Sequence, residues 1–268
     1  MTNSAISVSG LRKAFKDKAV LDGVDFEVPS GTIFSLLGPN GAGKTTTVNI
    51  LTTLMRADGG TARVAGHDIA ADAKAVRASL GVTGQFAAVD ELLTGRENLQ
   101  LMVDLRPIAA KDGKRVVDGL LDRFDLAEAA GKQASTYSGG MRRKLDLAMT
   151  LVGNPKIIFL DEPTTGLDPR SRRTMWTIIR ELVADGATIF LTTQYLDEAD
   201  QLADRIAVLD HGRLVAQGTP DELKRRLPGT HVRLRFDSAA ALDTAARIFP
   251  GTARDEEALT LRGPSDGG

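Results

Sequence analysis

The run Gly38-Pro39-Asn40-Gly41-Ala42-Gly43-Lys44-Thr45 has the composition of a phosphate cradle. It lies between the apolar stretch Ile33-Phe34-Ser35-Leu36-Leu37 and a helical pattern over 46–55, so a buried strand, a glycine-rich turn and a helix start aim free backbone N–H groups at one point. Anions collect there. Gly41 and Gly43 permit conformations and approaches that a Cβ would forbid, Lys44 adds a mobile positive charge, and Thr45 offers a hydroxyl to magnesium. With Thr46, the loop is assigned to the phosphates of a nucleotide. A phosphate loop needs a second group to hold the metal and activate water. Asp161-Glu162, ending the apolar run Ile157-Ile158-Phe159-Leu160, is placed for both. Asp161 would hold the metal through water, and Glu162 would orient the attacking water as a general base. Ser138-Gly139-Gly140, ahead of another helical stretch, forms a second cluster of N–H groups suited to phosphate. An ordinary helix cap would explain Ser138 but not two following glycines.

Alternating strands and helices must position these groups. Residues 6–15 and 20–28 are expected to be strands. In the second, Val24, Phe26 and Val28 alternate with Asp25 and Glu27, the period-two mark of a half-buried strand. Residues 61–69 continue this style after the turn Asp58-Gly59-Gly60, which predicts a small antiparallel sheet beside the phosphate-loop strand. A short helix over 72–79 leads to a strand over 80–84. From 92 to about 134 apolar residues recur at helical spacing (Leu99, Met102, Val103; Val116, Leu120, Leu121, Phe124), marking an inserted helical subdomain at about 86–136. The helix after Gly140 carries Leu145, Ala148, Met149 and Val152 on one stripe and stops at Asn154-Pro155. Its start, Arg142-Arg143-Lys144, is expected to be solvated, with contact to phosphate or to a neighbouring subunit as the alternative.

Helix 172–184, strand 187–192, helix 196–203 and strand 205–209 complete an α/β sheet with mostly parallel core strands. His211-Gly212 turns into 213–216, and Thr219-Pro220-Asp221-Glu222 opens a helix to about 226. The main domain is therefore expected over 1–228. The remainder, 229–268, reads as strand 231–237, helix 239–249 and strand 258–262, a partial C-terminal α+β segment with too few pieces for an independent core.

Composition excludes several classes. With 34 Lys+Arg against 35 Asp+Glu in 268 residues, the chain lacks the basic excess of a nucleic-acid binder, and no nucleic-acid partner is expected. Without cysteine there is no disulfide framework, thiol catalysis or cysteine metal site, and the scattered His67, His211 and His231 read as turn or surface residues. No apolar run approaches the length of a membrane span, and the first nine residues carry no signal pattern. The chain is expected to be cytoplasmic, with any membrane role passing through a partner.

Taken in order over residues 15 to about 218, these motifs resemble those of the ATP-binding subunit of an ABC transporter. Residues 38–45 match Walker A, Gln85 the Q-loop glutamine, Tyr137-Ser138-Gly139-Gly140-Met141 the signature, Ile157–Asp161 Walker B with Glu162 following, and Gly166-Leu167-Asp168 the D-loop. The resemblance implies a P-loop NTPase fold of ABC type, with ATP and Mg2+ as cofactors and Glu162, Lys44 and Gln194 as catalytic residues. It adds Gln85 to Thr45 and Asp161 at the metal, and Asp168 to the nucleotide site. Three positions depart from the usual pattern. Gln194 stands where most of the family has a histidine beside the γ-phosphate, and its amide can donate a hydrogen bond but cannot titrate. Phe15 stands where an aromatic, usually tyrosine, stacks on adenine, and Met141 replaces the usual signature glutamine.

The same resemblance implies a head-to-tail dimer, each ATP lying between the phosphate loop of one copy and Ser138, Gly139 and Gly140 of the other. An integral membrane permease subunit is the implied partner, docked through 92–105, which puts the chain on the inner face of the cell membrane. The wording Val82-Thr83-Gly84-Gln85, Tyr137-Ser138-Gly139-Gly140-Met141-Arg142-Arg143 and Thr192-Thr193-Gln194-Tyr195-Leu196-Asp197-Glu198-Ala199-Asp200 is similar to daunorubicin/doxorubicin-resistance exporters, which implies export of a hydrophobic drug or other amphiphile. Relatives of that wording usually carry a longer accessory segment, so Pro264-Ser265-Asp266-Gly267-Gly268 is expected to be a cut end. The rival class is a non-transport ABC ATPase acting as a mechanical or regulatory switch on a macromolecule. Its usual fused cassettes or long coiled coils are not found in this sequence.

Overall fold

The computed structural model describes residues 4–85, 87–226, 231–249, 252–256 and 258–264. The chain divides into two compact units, Met1–Pro220 and Asp221–Gly268. The first runs β1 (Ser4–Phe15), β2 (Lys18–Pro29), β3 (Ile33–Leu37), α1 (Lys44–Leu51), β4 (Gly59–Val64), β5 (His67–Asp68), α2 (Ala73–Ser79) and β6 (Leu80–Thr83). Helices α3 (Gly95–Asp104) and α4 (Ala110–Arg123) follow, within the stretch expected to be helical, and then α5 (Gly139–Leu151). Then come β7 (Ile157–Asp161), α6 (Pro169–Ala184), β8 (Thr188–Thr193), α7 (Leu196–Leu202), β9 (Arg205–Asp210) and β10 (Arg213–Gly218).

Strands β9, β3, β8, β7 and β6 are parallel neighbours in that order, with β10 antiparallel on the β9 edge. The continuous apolar runs follow from covering on both faces. Ile33, Ile158, Leu160, Ile189 and Leu191 face a core shared with the helices. Phe34, Leu36, Ile157, Phe159 and Phe190 face a core shared with the antiparallel sheet β2-β1-β4-β5. The second core is held by a chain of rings: Phe26–Phe34 centroids are 5.1 Å apart, Phe34–Phe190 5.6 Å and Phe159–Phe190 5.2 Å. Phe190 is fully buried within it. Phe190→Ala is expected to cost about 3–5 kcal/mol, read as a lower urea midpoint.

The strand-rich stretch expected over 61–69 is split into β4 and β5 by a turn at Ala65-Gly66, where φ is 52° and 81°. Two of the helix boundaries that differ from the sequence expectation do so for identifiable reasons. Helix α1 ends at Leu51 rather than residue 55, because Thr53 adopts a φ of 64° and the N–H groups of Leu54 and Met55 both donate to the Asn49 carbonyl. Helix α6 starts three residues before the expected 172, because Asp168 caps it and Pro169 occupies the first turn.

In the second unit, α8 (Pro220–Arg226) is followed by β11 (His231–Arg235), α9 (Ala239–Ile248), β12 (Ala253–Asp255) and β13 (Thr260–Pro264), with sheet order β11-β13-β12. Leu242, Ala245 and Leu261 form its small core, with Phe236, Ala246 and Leu259 around them. The sequence reading did not anticipate β12. The expected break after 228 and the end at 265–268 lie outside the described residues.

Candidate active site

The phosphate loop is fixed at its start by the Gly38 N–H, which donates to the Thr193 carbonyl at the end of β8 (3.1 Å). A Cβ on Gly38 would lie 2.3 Å from the Leu209 carbonyl oxygen. Gly43 has φ 111°, and a Cβ there would stand 2.7 Å from Leu21 Cδ2. Neither position accepts a side chain. Helix α1 opens at Gly43 with no side-chain cap, which leaves its first N–H groups for a ligand.

Lys44 points back into the loop and is 4% exposed. Its ammonium donates to the carbonyls of Gly38 (2.9 Å) and Pro39 (3.1 Å) and pairs with Glu162 Oε1 at 3.2 Å. Glu162 reaches it because its φ is 50°, an uncommon value for a residue with a Cβ, which carries it off the line of β7. That conformation is held by its N–H, which donates to both the carbonyl and the hydroxyl of Thr192 (3.1 Å each), and by the Thr165 hydroxyl on Oε2 (3.3 Å). The β7–β8 register sets Asp161 opposite Thr192, whose hydroxyl donates to Asp161 Oδ1.

One hollow of about 440 Å³ brings together Phe15, Asn40, Gly41, Gly43, Lys44, Thr45, Thr46, Gln85 and Glu162. Larger grooves of about 710 and 780 Å³ lie elsewhere, around Ser7 to Gln217 and Ser4 to Thr188, but neither contains a glycine loop with a lysine and a carboxylate. Chemistry therefore locates the site better than volume does. Phe15 is 46% exposed, a rim residue rather than a core one, with the Lys13 ammonium 5.6 Å from its ring centroid. Asp161 is buried behind the hollow, and Gln194 follows the residue that anchors Gly38 without lining the hollow itself.

Ser138, Gly139, Gly140 and Asp168 stand apart from that hollow. Ser138 caps α5, its hydroxyl accepting from the Met141 N–H (3.2 Å). Asp168 accepts from the N–H groups of Arg170 (2.9 Å) and Ser171 (3.0 Å) and from the Ser171 hydroxyl. The Ser171 hydroxyl does most to hold the Asp168 carboxyl below the usual carboxylate range. Gly140 packs on the same residue, since a Cβ there would stand 2.7 Å from Ser171 Oγ. The second N–H cluster and Asp168 thus meet at one serine.

Two residues escaped the sequence reading. Thr192 bridges the acidic pair through strand register, which leaves no local signal. Arg143, expected to be solvated, is instead 7% exposed, while Arg142 pairs with Glu91 at the surface (2.7 Å). Burial pushes the Arg143 guanidinium down and the Asp146 carboxyl up, each opposed in part by the other's charge. The available signal was Asp146, an opposite charge three residues on, beside the apolar stripe of α5.

No helix among the described residues is long and apolar enough to cross a membrane. The family model described as "ABC transporter" matches residues 21–165. The chain is 49% identical over 266 residues to a daunorubicin resistance ATP-binding protein of Streptomyces coeruleorubidus, covering 98% of this chain and 84% of that protein. It is 50% identical over 262 residues to a daunorubicin/doxorubicin resistance ATP-binding protein of Streptomyces peucetius, covering 98% and 78%. Among solved structures, the ATP-binding subunit of an ABC transporter superposes with a TM-score of 0.74 at 29% identity, over 83% of this chain and 92% of that one. The glycine loop, the acidic pair at the end of β7 and the capped serine-glycine helix have a common explanation: the chain belongs to the ABC transporter family, as an ATP-binding subunit.

Proposed function

We propose that the chain binds and hydrolyses Mg-ATP to power export of a hydrophobic drug or related amphiphile through separate membrane subunits. The Lys44–Glu162 contact carries the catalytic part of this reading, because it puts the loop cation and the base at one point. Lys44 pairs with Glu162 and donates to two loop carbonyls. The β- and γ-phosphates would replace those partners, leaving Glu162 beside the hollow to accept a proton from water. The water oxygen then bonds to the γ-phosphorus while the bridging P–O bond breaks, giving ADP and phosphate. The Thr45 hydroxyl and the Gln85 amide oxygen line the hollow and, with Asp161 acting through water, would offer Mg2+ the hard oxygen ligands it prefers; the ion would supply charge neutralisation at the phosphates. Phe15 at the rim would stack on adenine.

Ser138, Gly139, Gly140 and Asp168 do not line their own chain's hollow, which supports a head-to-tail dimer in which they close the site of the other copy. The names of the two relatives support drug export, and Leu92, Leu101 and Leu105, exposed on and around α3, offer apolar surface to a permease at the inner face of the membrane. Purifying the tagged chain from detergent-solubilised membranes should retain a multi-span protein, with ATPase activity stimulated by an amphiphilic drug. Retention of ribosomes or nucleic acid instead would favour a non-transport switch. Gln194→Ala should lower kcat by about tenfold or more with ATP affinity within about twofold, as loss of a γ-phosphate donor predicts. Gln194→His should remain active. Unchanged turnover of the alanine variant would make Gln194 a bystander.

A further inference from the structure

We propose that Arg143 is a positioning residue that ties helix α5 to both flanks of Glu162 and both flanks of Gln85. Its Nε donates to the Pro163 carbonyl (2.9 Å) and Nη2 to the Asp161 carbonyl (3.2 Å), the peptide oxygens on either side of Glu162. Nη1 donates to the Gly84 carbonyl (2.7 Å), immediately before Gln85, and to Asp146 Oδ2 (3.3 Å). Asp146 Oδ1 in turn accepts the Ala88 N–H (3.0 Å), on the far side of Gln85. One buried guanidinium and its carboxylate thus hold the residues on either side of Glu162, the residue before Gln85 and a residue three positions beyond it.

The arrangement uses what only arginine offers. Its planar fork spans three carbonyls in three directions, whereas an ammonium is a single point. Burying the pair costs desolvation that a well-packed apolar side chain would avoid, so this pair is weak evidence for stability as such. Its partners point elsewhere. The Asp161 carbonyl belongs to the peptide leading into Glu162 and the Pro163 carbonyl to the one that follows Pro163, so both bonds restrain the backbone around Glu162, whose φ of 50° needs such restraint. Helix α5 begins at Ser138, where a second copy's nucleotide would bind, so a displacement of that helix would pass through Arg143 to Glu162 and Gln85 together. The inference rests on Glu162 being the base of the proposed reaction.

Arg143→Lys keeps the charge but cannot span the carbonyls. In the folded variant kcat should fall about 10–100-fold, the loss expected when a catalytic group is misplaced by about an ångström. ATP affinity should stay within about threefold, because no phosphate contact is touched. Combined with Glu162→Gln, the same change should lower residual turnover by less than about twofold, since the base it orients is gone. Asp146→Asn, equal in size and still an acceptor for the Ala88 N–H, should lose about 3–10-fold in kcat and keep ATP affinity, and it carries the test if Arg143→Lys does not fold. A folded variant with kcat within about twofold of the parent, or equal fold-losses with and without Glu162, would overturn the proposal. Full turnover by Glu162→Gln alone would remove the base itself, and the proposal with it.

Discussion

Glu162→Gln is expected to cut steady-state ATP turnover by about 10²–10⁴-fold, the usual contribution of a positioned general base. The amide has the shape of the carboxylate, so the bonds that hold the backbone of residue 162 to Thr192 should survive. ATP affinity should rise rather than fall. The Glu162 carboxylate lies 3.2 Å from the Lys44 ammonium, so the phosphates must compete with it for that cation. Removing that charge removes the competitor, and a tightening of a few-fold corresponds to only about 1 kcal/mol. Titration with a fluorescent ATP analogue beside a phosphate-release assay reads both effects. Undiminished turnover would take Glu162 out of the chemistry.

Lys44→Ala should act on binding. Charge-assisted hydrogen bonds are each worth about 1.5–3 kcal/mol, so losing the lysine should raise the ATP dissociation constant by about 10–100-fold. A second effect follows from burial. Lys44 and Glu162 are 4% and 7% exposed as side chains, and deleting one member of a buried pair leaves the other uncompensated, at about 3–5 kcal/mol. The variant should therefore unfold at a lower temperature, and adding Glu162→Gln should restore part of the midpoint. Unchanged nucleotide affinity would contradict the assignment of the phosphate loop.

Much of this arrangement was legible before the structure because it is local. Ile158 and Phe159 in β7 and Ile189 and Phe190 in β8 lie in continuous apolar runs, which is what strands covered on both faces require, and they divide between two cores by period two. The glycines of the phosphate loop announced themselves because their φ values and close approaches leave room for nothing else. What depends on register or on tertiary burial did not show. Thr192 meets Asp161 only because β7 and β8 pair at that offset. Arg143 reads as one of three basic residues at a helix start until Gly84, Asp161 and Pro163 close around it. The D-loop resemblance assigns Asp168 to the nucleotide site, whereas in the structure Asp168 also caps α6 with Pro169 in its first turn, which moves the helix start forward. For Phe15, pattern alone could not separate a strand-end core residue from a ring at the rim.

Whether a second copy completes the nucleotide site is tested most directly by the solution mass of the Glu162→Gln protein, measured by light scattering with and without saturating Mg-ATP. The mass of one chain should double on adding nucleotide and return when the nucleotide is removed. A single-chain mass at saturating ATP, with nucleotide demonstrably bound, would contradict the closed two-copy site.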